Sequence, residues 1–557
     1  MKKIFTLIAI CGFVAGLKSQ NFNWAKREGL YAYDYGYGIV NDNAGNVYVA
    51  GKYEQNANFS GTILPNEGNG NHDIFLAKYD AAGTLNWVQT GGGPSGDYAH
   101  AVACDGSSNI YVAGEIEYYN GNNVIVFPGS TFTLSPVGGN DAVLLKYDLN
   151  GNLQWVASGG GGLDDKATGV AFDNAGNIYI CGFFEGTATF GGTTITAAGA
   201  QDIFIAKYDA NGNLQWIQHA GSSDRDEPKS IKCDAAGNVY MCGFYSNGTS
   251  GATFGSQTLN TSSGAYFDTF LAKYSSNGTL LWVKNDGGNY DDVAWSLTMD
   301  NSGLIYVAGE FNASAFFGST QLITSGNADV YVACYDASGT VQWAKGAGGP
   351  LIDRARGIGC DGTNIYLTGQ FGSTANFGSH TAIAADSSDI FVAAVSNSGN
   401  FVNVITVGGI PDSLETLGYE SGIAVCAEAS GNVYATGSLL NGGVFGTTTF
   451  TQYARTDIFI TKITQLNSVN TYAENSDDFI VYPNPTNGNV TLALNRSLSE
   501  KTEVNIFNSY GQVILSKKEM GSAGLNVDLS EHQSGVYVIE LKQGTASLSR
   551  QRIVIQK

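Results

Sequence analysis

The sequence predicts an all-β protein, because three of its features favour strands joined by tight turns. Glycine accounts for 74 of the 557 residues, beside 30 tyrosines and 28 phenylalanines. No long segment has the apolar period of an amphipathic helix. The stretch "DIFIAKYDANGNLQW" at 202–216 recurs in similar form at 73–87, 141–155, 268–282 and 329–343. Alternating apolar residues around an Asn-Gly turn are the strongest short-range signal of a β-hairpin.

The first element is a predicted secretory signal peptide, residues 1–20. Lys2 and Lys3 precede an apolar run from Ile4 to Leu17, which is shorter than the roughly 20 residues that span a bilayer. We expect cleavage near Ser19 or Gln20. No other segment of the sequence is apolar enough to cross a membrane, so we expect a secreted protein or one attached to the outer cell surface.

The body of the chain consists of seven repeats. A phrase of the form Tyr-x-x-Gly, such as "AGNIYICG" at 175–182, recurs every 60 to 68 residues at Tyr48, Tyr111, Tyr179, Tyr240, Tyr306, Tyr366 and Tyr434. With the recurring hairpin, each repeat reads as four antiparallel strands. Such units, repeated several times, are typical of the blades of a β-propeller, whereas a linear β-solenoid usually has much shorter repeats.

The ends of the repeat region predict a closed ring. The seventh repeat reaches "DIFITK" (457–462) without a following strand that carries tryptophan, and the unmatched segment "NFNWAKREG" (21–29) resembles "VQWAKGAGG" (341–349). We therefore predict a seven-bladed propeller over residues 21–466 whose last blade is completed by the N-terminal strand. Each outer hairpin should pack its tryptophan against a neighbouring blade; these residues are Trp24, Trp87, Trp155, Trp216, Trp282 and Trp343.

The repeat resembles a known group. Residues 173–216, "DNAGNIYICGFFEGTATFGGTTITAAGAQDIFIAKYDANGNLQW", are similar to the SBBP-type β-propeller repeat of exported bacterial proteins. The resemblance covers about residues 21–465. It implies a fold but no activity, since that family is defined by its repeat.

The tail is a separate domain. Residues 467–476 form a polar linker, and the short alternating strands of 477–557 predict a small immunoglobulin-like β-sandwich. This segment resembles the C-terminal sorting domain of the type IX secretion system. The resemblance implies passage through the outer membrane by that machinery. Its marks are a terminus of the form Ile-Val-Ile-x-Lys and the residues Tyr482, Pro483, Asn484, Pro485, Gly488, Gly535 and Tyr537.

The charge and the cysteines limit the classes of partner and chemistry. The chain carries a net charge of −21, which becomes −24 when the three lysines of the signal peptide are removed. A body this acidic repels phosphate backbones, so nucleic acid is not expected as a partner. The seven remaining cysteines form no CxxC motif. Cys233 and Cys242 flank one hairpin and could oxidise, but we interpret the cysteines as small buried residues.

Signals for catalysis, metal or cofactor are missing from the sequence. No serine has glycine at both −2 and +2, and the five histidines form no zinc-spaced cluster. "DANGN" at 209–213 has calcium-loop spacing but lacks the later glutamate, so we interpret it as a hairpin turn. We therefore predict no catalytic residue, no metal site and no cofactor.

A recurring acid before each inner strand is the first candidate site. These seven carboxylates should surround one mouth of the central channel, where they could attract a cation or a basic ligand. The alternative, which we favour, is that each accepts backbone N–H bonds where the chain turns inward. The residues are Asp34, Asp97, Asp165, Asp226, Asp292, Asp353 and Glu420.

The links between the second and third strands are the second candidate. They run about 15 to 25 residues and should emerge on the face that carries the acids, where Tyr118 and Tyr119 could stack on sugars. We predict a non-enzymatic binding protein for a glycan or a protein. The alternatives are an extracellular hydrolase or lyase, which nonequivalent charged residues at the channel mouth would favour, and a purely structural surface component.

Overall fold

The computed structural model divides the chain into two compact units, 1–467 and 468–557. It describes residues 22–30, 32–66, 71–106, 108–119, 124–262, 265–385, 387–408, 420–440, 442–451, 455–464, 466, 479–482, 486–494, 502–507, 513–518, 525–532, 535–543 and 546–555. The predicted signal peptide and linker lie outside the described residues. Within the described residues all regular structure is strand, and no helix is long and apolar enough to cross a membrane.

The first unit contains forty strands among its described residues. They are β1 (Phe22–Glu28), β2 (Tyr35–Asn41), β3 (Val47–Glu54), β4 (Ala57–Phe59), β5 (Thr62–Leu64), β6 (His72–Tyr79), β7 (Leu85–Gly91), β8 (Tyr98–Cys104), β9 (Asn109–Glu117), β10 (Ile125–Val126), β11 (Thr133–Leu134), β12 (Asn140–Asp148), β13 (Leu153–Gly161), β14 (Lys166–Phe172), β15 (Ile178–Phe184), β16 (Thr187–Phe190), β17 (Thr193–Thr196), β18 (Asp202–Tyr208), β19 (Leu214–Gly221), β20 (Glu227–Cys233), β21 (Val239–Ser246), β22 (Ala252–Phe254), β23 (Gln257–Leu259), β24 (Phe267–Tyr274), β25 (Leu280–Gly288), β26 (Val293–Met299), β27 (Ile305–Phe317), β28 (Thr320–Tyr335), β29 (Val341–Ala347), β30 (Arg354–Cys360), β31 (Asn364–Phe371), β32 (Thr374–Phe377), β33 (His380–Ile383), β34 (Asp389–Ser396), β35 (Phe401–Val407), β36 (Ser421–Ala427), β37 (Val433–Leu440), β38 (Gly443–Phe445), β39 (Thr448–Phe450) and β40 (Thr456–Ile463).

Twenty-eight of these strands form four-stranded antiparallel arrangements, which we call sheets one to seven in chain order. Sheets one to three are β2-β3-β6-β7, β8-β9-β12-β13 and β14-β15-β18-β19, and sheets four to six are β20-β21-β24-β25, β26-β27-β28-β29 and β30-β31-β34-β35. Sheet seven is β36-β37-β40-β1. The first strand of each sheet contacts that of the next, and β36 contacts β2. The hydrophobic core lies between successive sheets.

The N-terminal strand completes sheet seven. β1 pairs antiparallel with β40, with Trp24 opposite Lys462 and Glu28 opposite Ile458. Arg27 Nε lies 3.3 Å from Asp457 Oδ2 across this pair. The pairing expected from the unmatched tryptophan segment is therefore confirmed.

The turn between the first two strands explains why asparagine and tyrosine occur in the phrase "AGNVYVAG" at 44–51. In sheet one, Asp42 Oδ1 accepts hydrogen bonds from the backbone N–H groups of Ala44 and Asn46, both at 2.9 Å. Its other oxygen accepts from the Asn46 amide and from the Tyr48 hydroxyl, at 2.7 and 3.0 Å. One carboxylate thus holds the turn and anchors a fully buried tyrosine.

The outer tryptophans join neighbouring sheets. Each indole N–H donates, at 2.9 to 3.3 Å, to a backbone carbonyl in the outer hairpin turn of the next sheet. Trp155, for example, bonds Ala210 and lies over Gly212, which has a φ of +84°. Any side chain at Gly212 would meet the indole, so both the turn and the packing require glycine. The acceptors of the six bonds are Ala81, Leu149, Ala210, Ser276, Ala337 and Asn397.

The links between the second and third strands are not the free loops that their length suggested. Each contains a short hairpin, such as β16–β17, that bonds to the last strand of the preceding sheet or to the residue directly after it. The phenylalanine before each hairpin turn is buried: Phe59, Phe127, Phe190, Phe254, Phe317, Phe377 and Phe445. These links therefore connect one sheet to the next, and only their remaining segments are exposed.

The described residues of the second unit form seven strands in two antiparallel sheets around a small apolar core. The sorting residues Gly535 and Tyr537 lie in β46, Tyr482 ends β41 with an exposed side chain, and Gly488 precedes β42. Pro483, Asn484 and Pro485 lie outside the described residues. The strands are β41 (Phe479–Tyr482), β42 (Asn489–Leu494), β43 (Thr502–Phe507), β44 (Val513–Lys518), β45 (Leu525–Asp528), β46 (Gly535–Gln543) and β47 (Ala546–Ile555).

Candidate functional site

A cavity lies between the first strands of the seven sheets. It has a volume of about 820 Å³, and β2, β8, β14, β20, β26, β30 and β36 all contribute to its wall. This volume lies within the range of small-molecule sites, roughly 300–1,000 Å³. The cavity is therefore large enough for a ligand of several rings.

A β-bulge in every first strand aims one side chain at this cavity. In β26, for example, Ala294 pairs with Gly309 and Ser296 pairs with Ala308, so Trp295 has no opposite residue. Bulges re-aim side chains and are common near functional sites. The seven bulged residues, which we call the bulge ring, all line the cavity: Tyr37, His100, Thr168, Lys229, Trp295, Arg356 and Ile423.

The bulge ring keeps one backbone geometry but has seven different side chains. A requirement of the fold would select similar residues at equivalent positions, as it does at the buried tyrosines. The variation instead gives the cavity two chemically distinct sides. Sequence analysis missed this ring, although it contains Trp295, the only one of seven tryptophans outside the outer hairpins.

The first side is cationic and is centred on Trp295. The Lys229 ammonium lies 4.7 Å from the indole centroid, and the Arg356 guanidinium lies 4.5 Å from it. Both distances are within cation–π range. Trp295 Nε1 also donates to Glu310 Oε1 at 3.3 Å, which fixes the orientation of the ring.

Three of the cations on this side are paired with carboxylates. Glu227 accepts from Lys229 at 2.5 Å and from Arg225 at 2.8 Å. Burial raises the pKa of Glu227, but these two cations outweigh it and hold the pKa below its usual value. Arg354 forms an ion pair with Glu310. Within the described residues Arg356 has no carboxylate within 4 Å, and its buried Nε has no hydrogen-bond partner.

The second side is aromatic. The Tyr35 and Tyr37 rings stack 5.7 Å apart at 7°, and the Tyr98 and His100 rings stack 5.8 Å apart at 6°. Tyr37 and His100 connect the two pairs at 5.4 Å. The Lys52 ammonium lies 5.0 Å from the Tyr35 centroid and 4.8 Å from the Tyr98 centroid. Together these rings form a continuous half-buried surface.

A buried ion-pair network holds His100. Its Nε2 donates to Glu115 Oε1 at 2.9 Å, and Lys166 donates to the same oxygen at 3.0 Å. Burial raises the pKa of Glu115, but the bonds from His100 and Lys166 outweigh it and bring the pKa to about 2. Burial lowers the pKa of His100, so the neutral imidazole is favoured.

The cavity is basic although the chain is acidic. Among the described residues that line it, five are lysine or arginine (Lys166, Lys229, Lys232, Arg356 and Arg455) and one is a carboxylate (Glu227). The whole chain has a net charge of −21. Charges of one sign in a cleft with low-dielectric walls raise the local concentration of the opposite ion. The wall of the cavity therefore differs in the sign of its charge from the chain as a whole.

The predicted acids are buried beside the first strands. Asp34, Asp97, Asp165, Asp226, Asp292 and Asp353 have no exposed surface, and Glu420 is also buried. In each aspartate one oxygen accepts from the N–H four residues earlier and the other from the end of the second strand, at 2.6 to 3.3 Å. The six aspartates thus hold chain turns together, and none of the seven acids lines the cavity.

Tyr118 and Tyr119 lie at the start of the link between β9 and β12, with side chains 37% and 51% exposed. The structure does not place them in the wall of the cavity. Cys233 and Cys242 are both free thiols. No group of three or more metal-ligating side chains occurs within the described part of the chain.

Comparisons with known proteins support the fold of the first unit. The chain is 23% identical over 440 residues to an uncharacterised WD repeat-containing protein of Acanthamoeba polyphaga mimivirus, covering 62% of this chain and 31% of that protein. It is 29% identical over 333 residues to the regulatory protein FlaEY of Caulobacter vibrioides, covering 52% and 34%. The chain thus spans about a third of the length of the curated relatives it matches. WD repeats build β-propellers.

A solved structure and a family model complete the comparisons. A puromycin hydrolase structure covers 75% of this chain and matches 59% of its own, with a TM-score of 0.28 and 12% identity. Residues 480–556 match the model of the secretion system C-terminal sorting domain. This chain therefore combines a β-propeller-like unit with a C-terminal sorting domain of the type IX secretion system, which indicates an exported protein.

Proposed function

We propose that this protein is an exported seven-bladed β-propeller whose central cavity binds a small anionic ligand. Seven four-stranded sheets, the contact between β36 and β2, and the pairing of β1 with β40 support seven blades in a closed ring over residues 21–466. On the sequence pattern we assign the blades to the SBBP type. The two sheets of the tail support an immunoglobulin-like sandwich within residues 477–557.

The bulge ring carries this proposal. Seven equivalent backbone positions point different side chains into one basic cavity, which is the arrangement of a recognition site on a repetitive scaffold. The ring lies near the end where each first strand begins and each second strand ends, since Tyr35 pairs with Lys52 at the end of β3. This is the face from which the links emerge. Binding is therefore proposed on the face that carries these links, as expected from the sequence. The proposed site lies inside the channel mouth and not on the links themselves.

A binding screen with two variants tests this proposal. Neutral and acidic oligosaccharides and small organic anions would be screened against the full chain by calorimetry. For any ligand found, Tyr37→Ala should weaken binding at least tenfold, because it removes the centre of the aromatic surface. Tyr119→Ala is the matched control and should leave Kd within a factor of two. Loss of binding in the control alone would contradict a channel site.

Export is proposed to depend on the tail. A signal peptide at residues 1–20 would direct the chain across the inner membrane, and the sorting domain would engage the type IX machinery. Removing residues 477–557 should leave a folded propeller in the periplasm. The end of the last described strand of the first unit at Ile463 supports this expectation. Fractionation that finds the truncated protein outside the cell at normal levels would contradict this proposal.

An enzyme on the same scaffold is the second candidate. The nonequivalent charged residues of the bulge ring favour it over a structural component, and His100 with Lys166 provides groups able to transfer protons. Against catalysis, both groups are bonded to Glu115. Each ligand that binds would be incubated with the protein and then analysed by mass spectrometry. Chemical change of the ligand would distinguish an enzyme from a binding protein. Turnover that His100→Gln abolishes, with binding retained, would establish the enzyme.

A further inference from the structure

Arg356 is the residue of the bulge ring whose charge the described chain leaves unbalanced. Its guanidinium rests on Trp295 at 4.5 Å, its buried Nε lacks a hydrogen-bond partner, and no described carboxylate lies within 4 Å. Arg354, two residues earlier, is by contrast paired with Glu310. A buried donor without an acceptor is costly. A ligand oxyanion that pairs with the guanidinium would balance its charge.

The chemistry of the missing acceptor follows from the guanidinium. Its planar fork binds carboxylates and other oxyanions through two parallel hydrogen bonds. Trp295 holds the stem in place by stacking. Lys229, 4.7 Å from the same ring, is already paired with Glu227, so Arg356 carries the unpaired positive charge on this side. The cationic side of the cavity can therefore bind one oxyanion group through the Arg356 guanidinium.

The aromatic side provides a surface for a ring. Tyr35, Tyr37 and His100 line the cavity, and all three side chains are half-buried. The negative face of an aromatic ring attracts the weakly positive C–H groups of a sugar ring. Arg356 and Tyr37 line the same cavity, so the two sides face one common space.

Size and charge restrict the ligand further. About 820 Å³ admits a few sugar units but not a folded macromolecule. The acidic exterior repels long polyanions of high charge density. Polar groups at the seventh sheet and beside it, Ser421, Ser438 and Gln370, line the same cavity and can bond sugar hydroxyls.

We propose that the channel mouth binds a short oligosaccharide that contains uronic acid. The carboxylate would pair with the Arg356 fork beside Lys229, and a sugar ring would lie against Tyr35 and Tyr37. This inference rests on the proposed function and names its ligand class.

Calorimetry on the full chain tests the carboxylate requirement. The probes are trigalacturonate and trimannuronate, the carboxyl-reduced form of each, and a sulfated trisaccharide. At least one uronate should bind, and its reduced form should bind at least tenfold more weakly, because it cannot pair with Arg356. Equal binding of the reduced form, or binding of the sulfated sugar alone, would overturn the uronate assignment.

Variants locate the contact. Arg356→Gln should raise Kd for the uronate at least tenfold, and Arg356→Lys should restore only part of the affinity, because lysine lacks the fork. Lys345→Ala is the matched control, since it removes one positive charge from an exposed position on β29. The melting temperature of each variant would confirm that it folds. Unchanged uronate affinity in Arg356→Gln would overturn the inference.

The two proposals fail in different ways. A neutral sugar that binds with dependence on Tyr37 but not on Arg356 would overturn the uronate assignment and leave the channel site standing. Absence of any ligand whose affinity depends on Tyr37 would overturn both.

Discussion

At the scale of single residues, glycines decide how neighbouring sheets meet. Gly212 and Gly176 have similar left-handed φ angles, +84° and +80°. A Cβ at Gly212 would lie 2.9 Å from two carbon atoms of the Trp155 ring, whereas nothing lies within 4 Å of a Cβ at Gly176. The two positions therefore separate the cost of the backbone conformation from the cost of a clash.

We expect Gly212→Ala to destabilise the protein more than Gly176→Ala does. The backbone term should cost each variant roughly 1–2 kcal/mol. The alanine at 212 must also displace an indole that bonds Ala210. Urea unfolding of both variants measures the difference. Equal free energies of unfolding for the two variants would show that the Trp155 indole moves aside without destabilising the protein.

The buried acids make a second prediction at this scale. Asp165→Ala leaves the N–H groups of Gly161 and Glu185 without their acceptor. A buried donor left unpaired costs about 1–3 kcal/mol, so we expect stability to fall and ligand binding to persist. The exposed Asp224→Ala should change stability by less than about 0.5 kcal/mol. Lost binding with unchanged stability would instead identify Asp165 as a ligand contact.

At the scale of elements, β1 is the strand whose removal should matter most. Deleting residues 22–28 exposes the edge of β40, removes the Trp24 bond to Ala81 and breaks the ion pair of Arg27 with Asp457. We expect the melting temperature to fall by at least about 5 °C. Adding a synthetic peptide of residues 21–29, which can pair with the open edge, should restore part of it. A scrambled peptide is the control, and an unchanged melting temperature after deletion would contradict the closing role.

The elements also show what the sequence could predict. The repeated turns, alternating apolar residues and unmatched Trp24 segment are local patterns, so they predicted the strands and the β1–β40 pair. The hairpins inside the links were missed, although turns such as Phe190-Gly191-Gly192 signal them. The cavity could not be predicted from repetition, because its residues are those that differ between repeats. Its charge balance also depends on contacts such as Arg354 with Glu310, between residues 44 positions apart.

At the scale of the whole molecule, buried carboxyl pairs should make stability depend on pH. A Cβ at Gly160 would lie 2.3 Å from Asp141 Oδ1 and 2.9 Å from Asp165 Oδ2, so the two carboxyl groups are close. Burial raises the pKa of Asp165 to about 8 and that of Asp141 to about 6, from an ordinary value of 3.8. Similar pairs recur in other sheets, with the pKa of Asp292 raised to about 8 and that of Asp353 to about 7 by burial.

The sign of the effect follows from proton binding. Between pH 4 and pH 8 the folded state holds protons that the unfolded chain has lost, so stability decreases as pH rises through this range. We expect a higher melting temperature at pH 5 than at pH 9. Asp165→Asn should reduce the difference, because it removes one titrating group. A melting temperature that rises from pH 5 to pH 9 would contradict the paired carboxyl groups.

The closing strand also has a consequence for the order of folding. The Thr461 hydroxyl donates to the Trp24 carbonyl at 2.9 Å across 437 residues of chain, so this contact forms only after the seventh repeat has been synthesised. Contacts of such long sequence separation form slowly. During that interval β40 has an open edge and β1 has no partner, and two nascent molecules can exchange their first strands. We expect refolding at high protein concentration to give strand-swapped dimers, which return to monomers only as fast as β1 detaches.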